Sequence, residues 1–596
     1  MLWENRQSNY DKYPKIKIKE IDKLSSEAYE GYADIVSKIK ATVENLHKEK
    51  VVIVLDYYHG VRVEELQINL IEKLNPVKTF YAEEARLPEK ILFKKLARNI
   101  TDDRVFGVLS VHKINEFYDE LKIEALKKQI DEIKQGLIIV YGIGASLITK
   151  GDILIYGDLA RWEIQQRFRS HELDNWGVGN YDEDILRKYK RAYFIEWRVL
   201  DRHKREVFEE MDFLIDTNKK NNPKMITQKA FYTALEQAVN QPFRLVPYFD
   251  EGVWGGTWME KVCDLKRVKN NFAWCFDGVP EENSLYLDFK GIIVEIPAID
   301  LVFVKAKKLL GEKVYARFGA EFPIRFDFLD TMNGGNLSLQ VHPIIDYIQQ
   351  NFGMHYTQDE SYYILDAKND ACVYLGIKED VDKNDLISAL KDGQQGKVFE
   401  ADKYINKFKV KKHDHISIPA GTIHCSGKNS MVLEISSTPY IFTMKLWDWG
   451  RVGLDGLPRP VHLEHGEKVI QYDRKTKWVE KNLLHQEKII SQTDGILEEK
   501  TGLNELEFIE TRRHWFDRAV KHYTNGSVNV LNLVEGEEAI VTSPENLFAP
   551  FVVHYAETFI IPENIKEYTI APYGKSIGQK NYNIKSLCAS LISIRK

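Results

Sequence analysis

Apolar positions recur with two different rhythms along the chain, and the rhythm changes near residue 235. Before that point, short apolar runs alternate with charged segments whose apolar residues have helical spacing, which predicts strands alternating with helices. The predicted strands are 51–58, 106–112, 137–142 and 152–158, and the predicted helices are 64–74 and 116–136. Strands that alternate with helices favour an α/β domain with a largely parallel sheet. We predict such a domain over residues 1–235.

After residue 235, short apolar strands are separated by turn residues, a pattern typical of an all-β sandwich or barrel. The predicted strands are 284–289, 291–296, 313–318, 323–328, 337–342, 371–377, 415–421, 430–436 and 442–449. A helix is predicted to interrupt them at about 382–396, since that segment begins with an aspartate and ends with a glycine. These elements predict a β domain over residues 236–480.

The final segment, 481–596, repeats the β pattern. Strands are predicted over 528–543, 557–572 and 584–594. Residues 557–570 echo 415–427 in outline, with a strand, a proline turn and another strand. The second copy has no histidine at the matching place. We therefore predict a further β domain that duplicates the first one structurally and holds no metal.

Composition narrows the class of protein further. The 596-residue chain is 44% hydrophobic and 29% charged, with a net charge of -6, which suits a multidomain globular protein and argues against broad nucleic-acid binding. The five cysteines form no CxxC pair, the N-terminal segment lacks an apolar core, and no apolar run approaches the length of a membrane span. We expect a cytoplasmic protein without a membrane or nucleic-acid partner.

Four residues of the central segment suit a metal site. Gln340 and His342 lie two apart in a predicted strand, so their side chains share a face. Glu360 begins another predicted strand, and His424 follows a Pro-Ala-Gly turn. Two imidazoles, a carboxylate and an amide oxygen suit Zn²⁺ or another borderline divalent ion. Taken singly, each residue is more often a packed or solvated side chain than a metal ligand.

Five motifs in order make residues 246–465 resemble the class I (zinc-dependent) mannose-6-phosphate isomerases, which have a cupin-type fold. The motifs are VPYFDEGVWGGTWM, FPIRFDFLDT followed by LSLQVHP, DESYYIL, ISIPAGTIH, and DWGRVGLDGLPRPVHLEHG. The resemblance implies a cupin-type β-barrel body with a second, C-terminal cupin. It also implies interconversion of mannose 6-phosphate and fructose 6-phosphate, with a small sugar phosphate as the partner. A homo-oligomer is possible.

The resemblance assigns roles to six residues. Gln340, His342, Glu360 and His424 are implied to hold one Zn²⁺, and Arg451 and Glu434 are implied to lie in the active site. Aldose–ketose exchange moves a proton between C1 and C2 through an enediolate, which a divalent ion and an arginine stabilise electrostatically.

The roles of the last two residues have alternatives. The base is either Glu434 or a metal-bound hydroxide. Glu434 is otherwise a buried carboxylate that positions a ligand, and Arg451 otherwise pairs with Asp448 or Asp455.

Two positions depart from the family. Asp327 and Gln358 occupy places where these isomerases have lysines near the substrate, and Arg325 lies on the same predicted strand face as Asp327. Loss of two cations weakens binding of an anion. The alternatives are therefore an isomerase for another or unphosphorylated sugar, and a non-catalytic sugar-sensing protein.

The first domain loosely resembles P-loop kinases of the uridine-kinase type, through residues 137–148 and 152–169. A phosphate-cradling loop needs G-x-x-x-x-G-K-[ST]. After the first strand this chain offers only Gly60, with no lysine. We predict a degenerate, inactive kinase-like domain used for regulation, substrate capture or assembly. A bifunctional kinase–isomerase is the alternative that the missing lysine argues against.

Overall fold

The computed structural model describes residues 3–19, 27–438, 442–502, 507–579 and 581–588. Contacts divide the chain into two compact units. The α/β unit comprises residues 15–237 and 284–304, and the β-rich unit comprises residues 1–14, 238–283 and 305–596.

The described strands are short and are numbered in chain order. The first eight are β1 Lys15–Lys17, β2 Ala28–Glu30, β3 Lys50–Tyr57, β4 Lys78–Tyr81, β5 Gly136–Tyr141, β6 Ile153–Asp158, β7 Phe213–Asp216 and β8 Lys224–Thr227. The next thirteen are β9 Tyr248–Gly256, β10 Phe272–Gly278, β11 Ser284–Phe289, β12 Ile292–Pro297, β13 Arg325–Asp330, β14 Leu339–Val341, β15 Glu360–Ala367, β16 Cys372–Ile377, β17 Ile405–Lys409, β18 His415–Ile418, β19 His424–Ser426, β20 Ser430–Ser436 and β21 Met444–Trp447. The last ten are β22 Lys488–Thr493, β23 Ile496–Thr501, β24 Ile509–Phe516, β25 Val520–Tyr523, β26 Asn529–Glu535, β27 Glu538–Thr542, β28 Phe551–His554, β29 Thr558–Ile561, β30 Glu567–Pro572 and β31 Asn581–Cys588.

The described α-helices are numbered in the same way. The first eleven are α1 Gly31–Asn45, α2 Val63–Leu66, α3 Glu72–Leu74, α4 Glu89–Lys95, α5 Ala97–Ile100, α6 Glu120–Glu132, α7 Ala145–Ile148, α8 Arg161–Arg169, α9 Ile185–Arg191, α10 Trp197–Glu210 and α11 Gln228–Ala238. The others are α12 Trp258–Val262, α13 Ala298–Leu310, α14 Glu312–Phe318, α15 Ile345–Phe352, α16 Lys383–Gln394, α17 Ala401–Tyr404, α18 Leu463–Val469 and α19 Thr476–Asn482. Single π-helical segments, Gln67–Ile71 and Ala192–Glu196, join α2 to α3 and α9 to α10.

The α/β unit is built on a seven-stranded sheet in the order β2-β8-β7-β6-β3-β5-β4. The pairs among β3, β4, β5, β6 and β7 are parallel, and β8 pairs antiparallel with β7 and with β2. The central strand β3 is an almost continuously buried apolar run, as a parallel strand covered on both faces requires. The predicted α/β class with a largely parallel sheet is confirmed.

Two strand assignments change in this unit. The predicted strand 106–112 is wrong, because its backbone N–H groups bond to helical segments: Val108 to the Asn99 carbonyl and Ser110 to the Phe194 carbonyl. The predicted strands at 284–296 exist as β11 and β12, but they form a three-stranded sheet with β1 inside the α/β unit. Sequence position alone had placed them in the β domain.

The β-rich unit contains two pairs of sheets. The first pair has a six-stranded sheet, β18-β15-β20-β13-β10-β9, and a five-stranded sheet, β17-β16-β19-β14-β21. The second pair has a six-stranded sheet, β22-β23-β24-β31-β26-β29, and a four-stranded sheet, β25-β30-β27-β28. The strand pairs within all four sheets are antiparallel. The predicted β-rich body is confirmed at this level.

One strand prediction is wrong here and one helix prediction is confirmed. Residues 313–318 lie in α14, because Val314 and Phe318 are spaced for one helix face as well as for alternate strand positions. The predicted helix 382–396 is α16, whose N-cap Asp382 accepts hydrogen bonds from the backbone N–H groups of Asn384 and Asp385. Of the predicted strand 584–594, residues 584–588 belong to β31 and the rest lies outside the described residues.

The described residues contain two features that bear on the membrane and disulfide expectations. No helix in the described ranges combines the length and apolar composition that crossing a bilayer requires. Cys263, Cys275, Cys372 and Cys425 are buried free thiols. The side chain of Cys588 lies outside the described part of the chain.

Candidate metal centre

The four predicted ligands lie on neighbouring strands of the first pair of sheets. Gln340 in β14 is the direct cross-strand partner of His424, the first residue of β19. His342 follows β14 two residues after Gln340, so strand alternation turns both side chains to one face. Glu360 is the first residue of β15 and belongs to the six-stranded sheet. The cluster therefore joins the two sheets.

The Glu360 carboxylate lies between the two imidazoles. Its Oε2 is 2.9 Å from His342 Nε2, and its Oε1 is 2.9 Å from His424 Nε2. All three side chains are buried, and their ligand atoms lie within 4.8 Å of one another. The Gln340 amide nitrogen is 3.3 Å from His424 Nε2, and a 180° turn of the amide presents its oxygen there instead. This arrangement is able to hold a metal ion.

The outer nitrogens of both imidazoles support this interpretation. His342 Nδ1 is 2.9 Å from the Phe442 carbonyl oxygen, and His424 Nδ1 is 2.9 Å from the Thr422 carbonyl oxygen. A carbonyl oxygen only accepts, so Nδ1 carries the proton and the neutral ring turns the Nε2 lone pair toward Glu360. Lone pairs facing carboxylate oxygens need a shared cation or a second proton. Backbone carbonyls on the outer nitrogens of histidine ligands are common at metal sites.

Electrostatics keep the central carboxylate ionised. Burial alone raises the pKa of Glu360, but the positive charge that a second proton gives to His342 and His424 outweighs it and holds the pKa well below its ordinary value. A shared metal cation would act on the carboxylate in the same direction. An ionised carboxylate between two imidazoles is a suitable ligand set for a borderline divalent cation.

Gln358 connects the ligand Glu360 to the second predicted active-site carboxylate, Glu434. Its amide nitrogen donates to Glu360 Oε2 at 3.0 Å and to Glu434 Oε1 at 3.1 Å. Burial raises the pKa of Glu434 well above its ordinary value, and the neighbouring Asp327 and Glu360 charges raise it further. Glu434 therefore holds a proton more tightly than an exposed glutamate, beside the cluster.

Arg325 and Asp327 face the same interior from β13. Asp327 is the direct cross-strand partner of Glu434. Arg325 Nε donates to Asp327 Oδ1 at 3.0 Å, and its guanidinium lies 5.1 Å from the centre of the Phe276 ring. Both charged side chains are almost fully buried. The Arg325 guanidinium is thus held by a carboxylate two residues away on the same strand.

Arg451 occupies the loop after β21. It donates to the Asn336 carbonyl oxygen at 2.7 Å and forms an ion pair with Asp448, which also pairs with Arg459. Among the described residues, its hydrogen bonds do not reach His342, Glu360 or His424. The structure therefore brings together the four ligand residues and Glu434, and places Arg451 in the pairing with Asp448.

Sequence reasoning did not single out Tyr362. It lies two residues after Glu360, so it shares that face of β15, and it is the cross-strand partner of Glu434. Its ring centre is 5.8 Å from that of His424, and the side chain is fully buried. The same two-residue spacing that paired Gln340 with His342 indicates this residue.

The β-rich unit contains a cavity of about 390 Å³, and some of its lining residues are close to Glu360 in sequence. Its lining includes Thr357, Asp359 and Ala420, together with Arg317 and His355. This volume falls within the range of about 300–1,000 Å³ that is usual for small-molecule sites.

Four arginines of the α/β unit, Arg161, Arg167, Arg169 and Arg191, lie in separate pairings. Arg167 donates to the backbone carbonyl oxygens of Gly60 and Thr217. The other three pair as follows: Arg161 with Asp201, Arg169 with the Tyr189 hydroxyl, and Arg191 with Glu196. A phosphate cradle presents amide N–H groups, whereas here a guanidinium holds the carbonyl of the turn after β3.

Comparison with known proteins names a class for part of the chain. Residues 31–240 match a protein family described as a domain of unknown function (DUF8485). The chain is 24% identical over 340 residues to mannose-6-phosphate isomerase ManA of Bacillus subtilis (strain 168), an alignment that covers 56% of this chain and 98% of that protein. It is 25% identical over 232 residues to mannose-6-phosphate isomerase of Streptococcus mutans, covering 39% of this chain and 68% of that protein.

Among solved structures, the chain is similar to mannose 6-phosphate isomerase from Bacillus subtilis, with 19% identity and a TM-score of 0.48. That match covers 58% of this chain and 99% of the other. By sequence, more than half of this chain is thus similar to an enzyme named mannose-6-phosphate isomerase.

Proposed function

We propose that the protein is a metal-dependent aldose–ketose isomerase that interconverts mannose 6-phosphate and fructose 6-phosphate. Its metal ion is Zn²⁺, held by Gln340, His342, Glu360 and His424. The observation that carries the proposal is the pair of buried imidazole nitrogens at 2.9 Å from opposite oxygens of one ionised carboxylate. The alignment over nearly the full length of the Bacillus subtilis isomerase supports the assignment.

A divalent ion held by these residues would supply Lewis acidity toward the substrate oxygens on C1 and C2, the two carbons that exchange oxidation state. The chain supplies the proton carrier. Glu434 has a raised pKa and accepts a hydrogen bond from Gln358, which holds its carboxylate beside the cluster. A proton carrier works best when its pKa approaches the working pH, so burial suits Glu434 to move a proton between C1 and C2. Arg451 reaches the substrate only by exchanging its pairing with Asp448.

The test combines metal analysis with proton exchange. Purified full-length protein is expected to contain zinc and to exchange the C2 proton of mannose 6-phosphate in D₂O, followed by NMR. The variant His342→Ala is expected to lose both the ion and the proton exchange. The control variant His485→Ala, which changes an exposed histidine, is expected to keep both. A protein without metal and without exchange would instead be a non-catalytic, sugar-sensing one.

A second candidate function is isomerisation of an unphosphorylated or different sugar. The Arg325–Asp327 pair favours this second function. The buried Arg325 charge is already neutralised by Asp327, so it would attract a phosphate only weakly. Exchange with free mannose but not with mannose 6-phosphate would select this candidate.

We also propose that the α/β unit is a degenerate kinase-like domain that serves regulation, substrate capture or assembly and does not use ATP. The Arg167 guanidinium on the Gly60 carbonyl supports this, since an ATP phosphate needs donors at that turn. Titration calorimetry with Mg-ATP is expected to give no heat, and consumption of ATP with any hexose would contradict the proposal. We further propose that the whole protein is cytoplasmic and assembles into a homo-oligomer.

A further inference from the structure

Two buried histidines face each other between the second pair of sheets. His514 lies in β24 of the six-stranded sheet, and His522 lies in β25 of the four-stranded sheet. Their ring centres are 4.5 Å apart with the planes at 72°, and each side chain is about 3% exposed. Tyr568 stacks on the other side of His522 with ring centres 5.2 Å apart. The pair is therefore held rigidly in the interior.

Polar atoms of this cluster lack partners. His514 Nδ1, His522 Nε2 and both amide atoms of Asn583 are buried without a hydrogen bond to any described residue. Asn583 is the direct cross-strand partner of His514. A buried polar atom without a partner costs about 1–3 kcal/mol, so several of them in one place indicate a bound species.

Glu498 determines which ring nitrogen of His514 carries the proton. Its Oε1 lies 3.3 Å from His514 Nε2, so that nitrogen carries the proton and donates to the carboxylate. The neutral ring then offers its lone pair at Nδ1. The Nδ1 lone pair would repel an anion, whereas it would bind a cation.

The arrangement parallels the centre formed by His342 and His424. The ring centres there are 5.0 Å apart, against 4.5 Å for His514 and His522. In both places an acceptor oxygen holds the outer nitrogen of a ring, so the lone pair of the inner nitrogen points toward the other members of the cluster. A carboxylate on a ligand histidine is a common outer partner at metal sites.

Lys585 is the group that opposes a cation here. It shares the β31 face of Asn583, donates to the Tyr523 carbonyl oxygen at 2.9 Å, and has a neighbour, Arg512, which is itself paired with Glu498. The Lys585 amine therefore donates to a backbone carbonyl oxygen and to neither His514 Nδ1 nor His522 Nε2.

We propose that His514 Nδ1 and His522 Nε2, with Asn583 Oδ1 as a third donor, form a second site for a divalent transition metal ion of the zinc or nickel class. Imidazole ligands suit these ions, with metal–nitrogen bonds of about 2.0–2.1 Å. The site is independent of the isomerase centre, because it shares no residue with it. The C-terminal β domain, which sequence reasoning expected to hold no metal, thereby acquires one.

The test is the number of ions bound per chain, with the full-length protein. Equilibrium dialysis with Zn²⁺ is expected to give two sites in the wild type and one in the variant His342→Ala/His424→Ala. His514→Ala and the smaller change His522→Gln are each expected to remove the second ion and leave the first. The control His485→Ala keeps both, and circular dichroism checks that each variant is folded.

Cobalt spectra give an independent readout. A second Co²⁺ equivalent is expected to add visible absorption that is retained in His342→Ala/His424→Ala and lost in His522→Gln. One ion in the wild type, lost with His342→Ala/His424→Ala, overturns the proposal. A second ion that survives both His514→Ala and His522→Gln also overturns it, because it would lie elsewhere.

Discussion

Gln358 joins Glu434 to the ligand Glu360 through one amide nitrogen, at 3.1 Å and 3.0 Å. An amide can donate to two carboxylates without adding charge, so it holds both oxygens in place and leaves Glu434 free to keep its proton. This link makes the geometry of Glu434 depend on a residue outside the ligand set.

Replacing Gln358 with Leu tests the link. The change leaves two buried carboxylate oxygens without a donor, which costs about 1–3 kcal/mol and corresponds to roughly a 10- to 100-fold fall in turnover. We expect kcat for mannose 6-phosphate to fall while the bound zinc stays near one equivalent at the isomerase centre. The control Gln350→Leu changes an exposed glutamine of α15. Unchanged kcat in Gln358→Leu would show that Glu434 is positioned without it.

The Arg325–Asp327 pair allows the proposed preference for substrate charge to be tested. In Asp327→Asn, the Arg325 guanidinium loses its carboxylate partner and faces the interior with its full charge. We expect KM for mannose 6-phosphate to fall relative to KM for mannose by about 10-fold or more, since a charge-assisted contact contributes roughly 1.5–3 kcal/mol.

Steady-state kinetics on both sugars measures that ratio. Breaking a buried ion pair also costs about 3–5 kcal/mol of folding free energy, so the thermal midpoint of Asp327→Asn is measured in parallel. An unchanged KM ratio in a folded variant would mean that Arg325 does not sense the phosphate.

Variants of Arg451 and Arg459 distinguish a structural role in the loop from a role in substrate binding. Arg451 and Arg459 both pair with Asp448, so each contributes to the same loop. If Arg451 also reaches the substrate during turnover, Arg451→Ala lowers kcat/KM by about 100-fold or more, whereas Arg459→Ala changes it far less. Metal content and kinetics of the two variants decide the matter. Equal losses in both variants would assign Arg451 to holding the loop.

The grouping of the four proposed ligand residues was predictable from sequence, and the placement of Arg451 was not. Strand alternation is a local rule, so Gln340 and His342 followed from their spacing, and the motif resemblance supplied Glu360 and His424. The direction of a long side chain such as Arg451 depends on partners that the fold brings near, here Asp448 and the Asn336 carbonyl. Such tertiary contacts leave no periodic signal.

The same distinction explains the errors in secondary structure. Residues 106–112 are apolar enough for a strand, but their backbone N–H groups bond to helical segments: Val108 to Asn99, nine residues earlier, and Ser110 to Phe194, far along the chain. In 313–318 the spacing of Val314 and Phe318 satisfies both periods, and only the surrounding packing selects the helix. The histidines at 514 and 522 were missed because eight residues separate them and they sit on different sheets.

Asp330 provides a pH test of the fold around β13. Its carboxylate accepts from the backbone N–H groups of Met259 and Met332, at 2.8 and 2.9 Å, in a fully buried position. Burial raises the pKa of Asp330 to about 7 from 3.8. Because the folded pKa is raised, the unfolded chain releases this proton first, and the contribution to stability is lost as pH rises from about 4 to about 7.

We expect Asp330→Asn to flatten that dependence. At about 1.4 kcal/mol per pKa unit, the difference in unfolding free energy between wild type and variant changes by roughly 4 kcal/mol between pH 4 and pH 8, in the direction that favours wild type at low pH. Urea unfolding of both proteins at these two pH values measures the difference, with the exposed Asp264→Asn as the control. A difference that is the same at both pH values would show that Asp330 is ionised throughout, held by the two N–H groups against its burial.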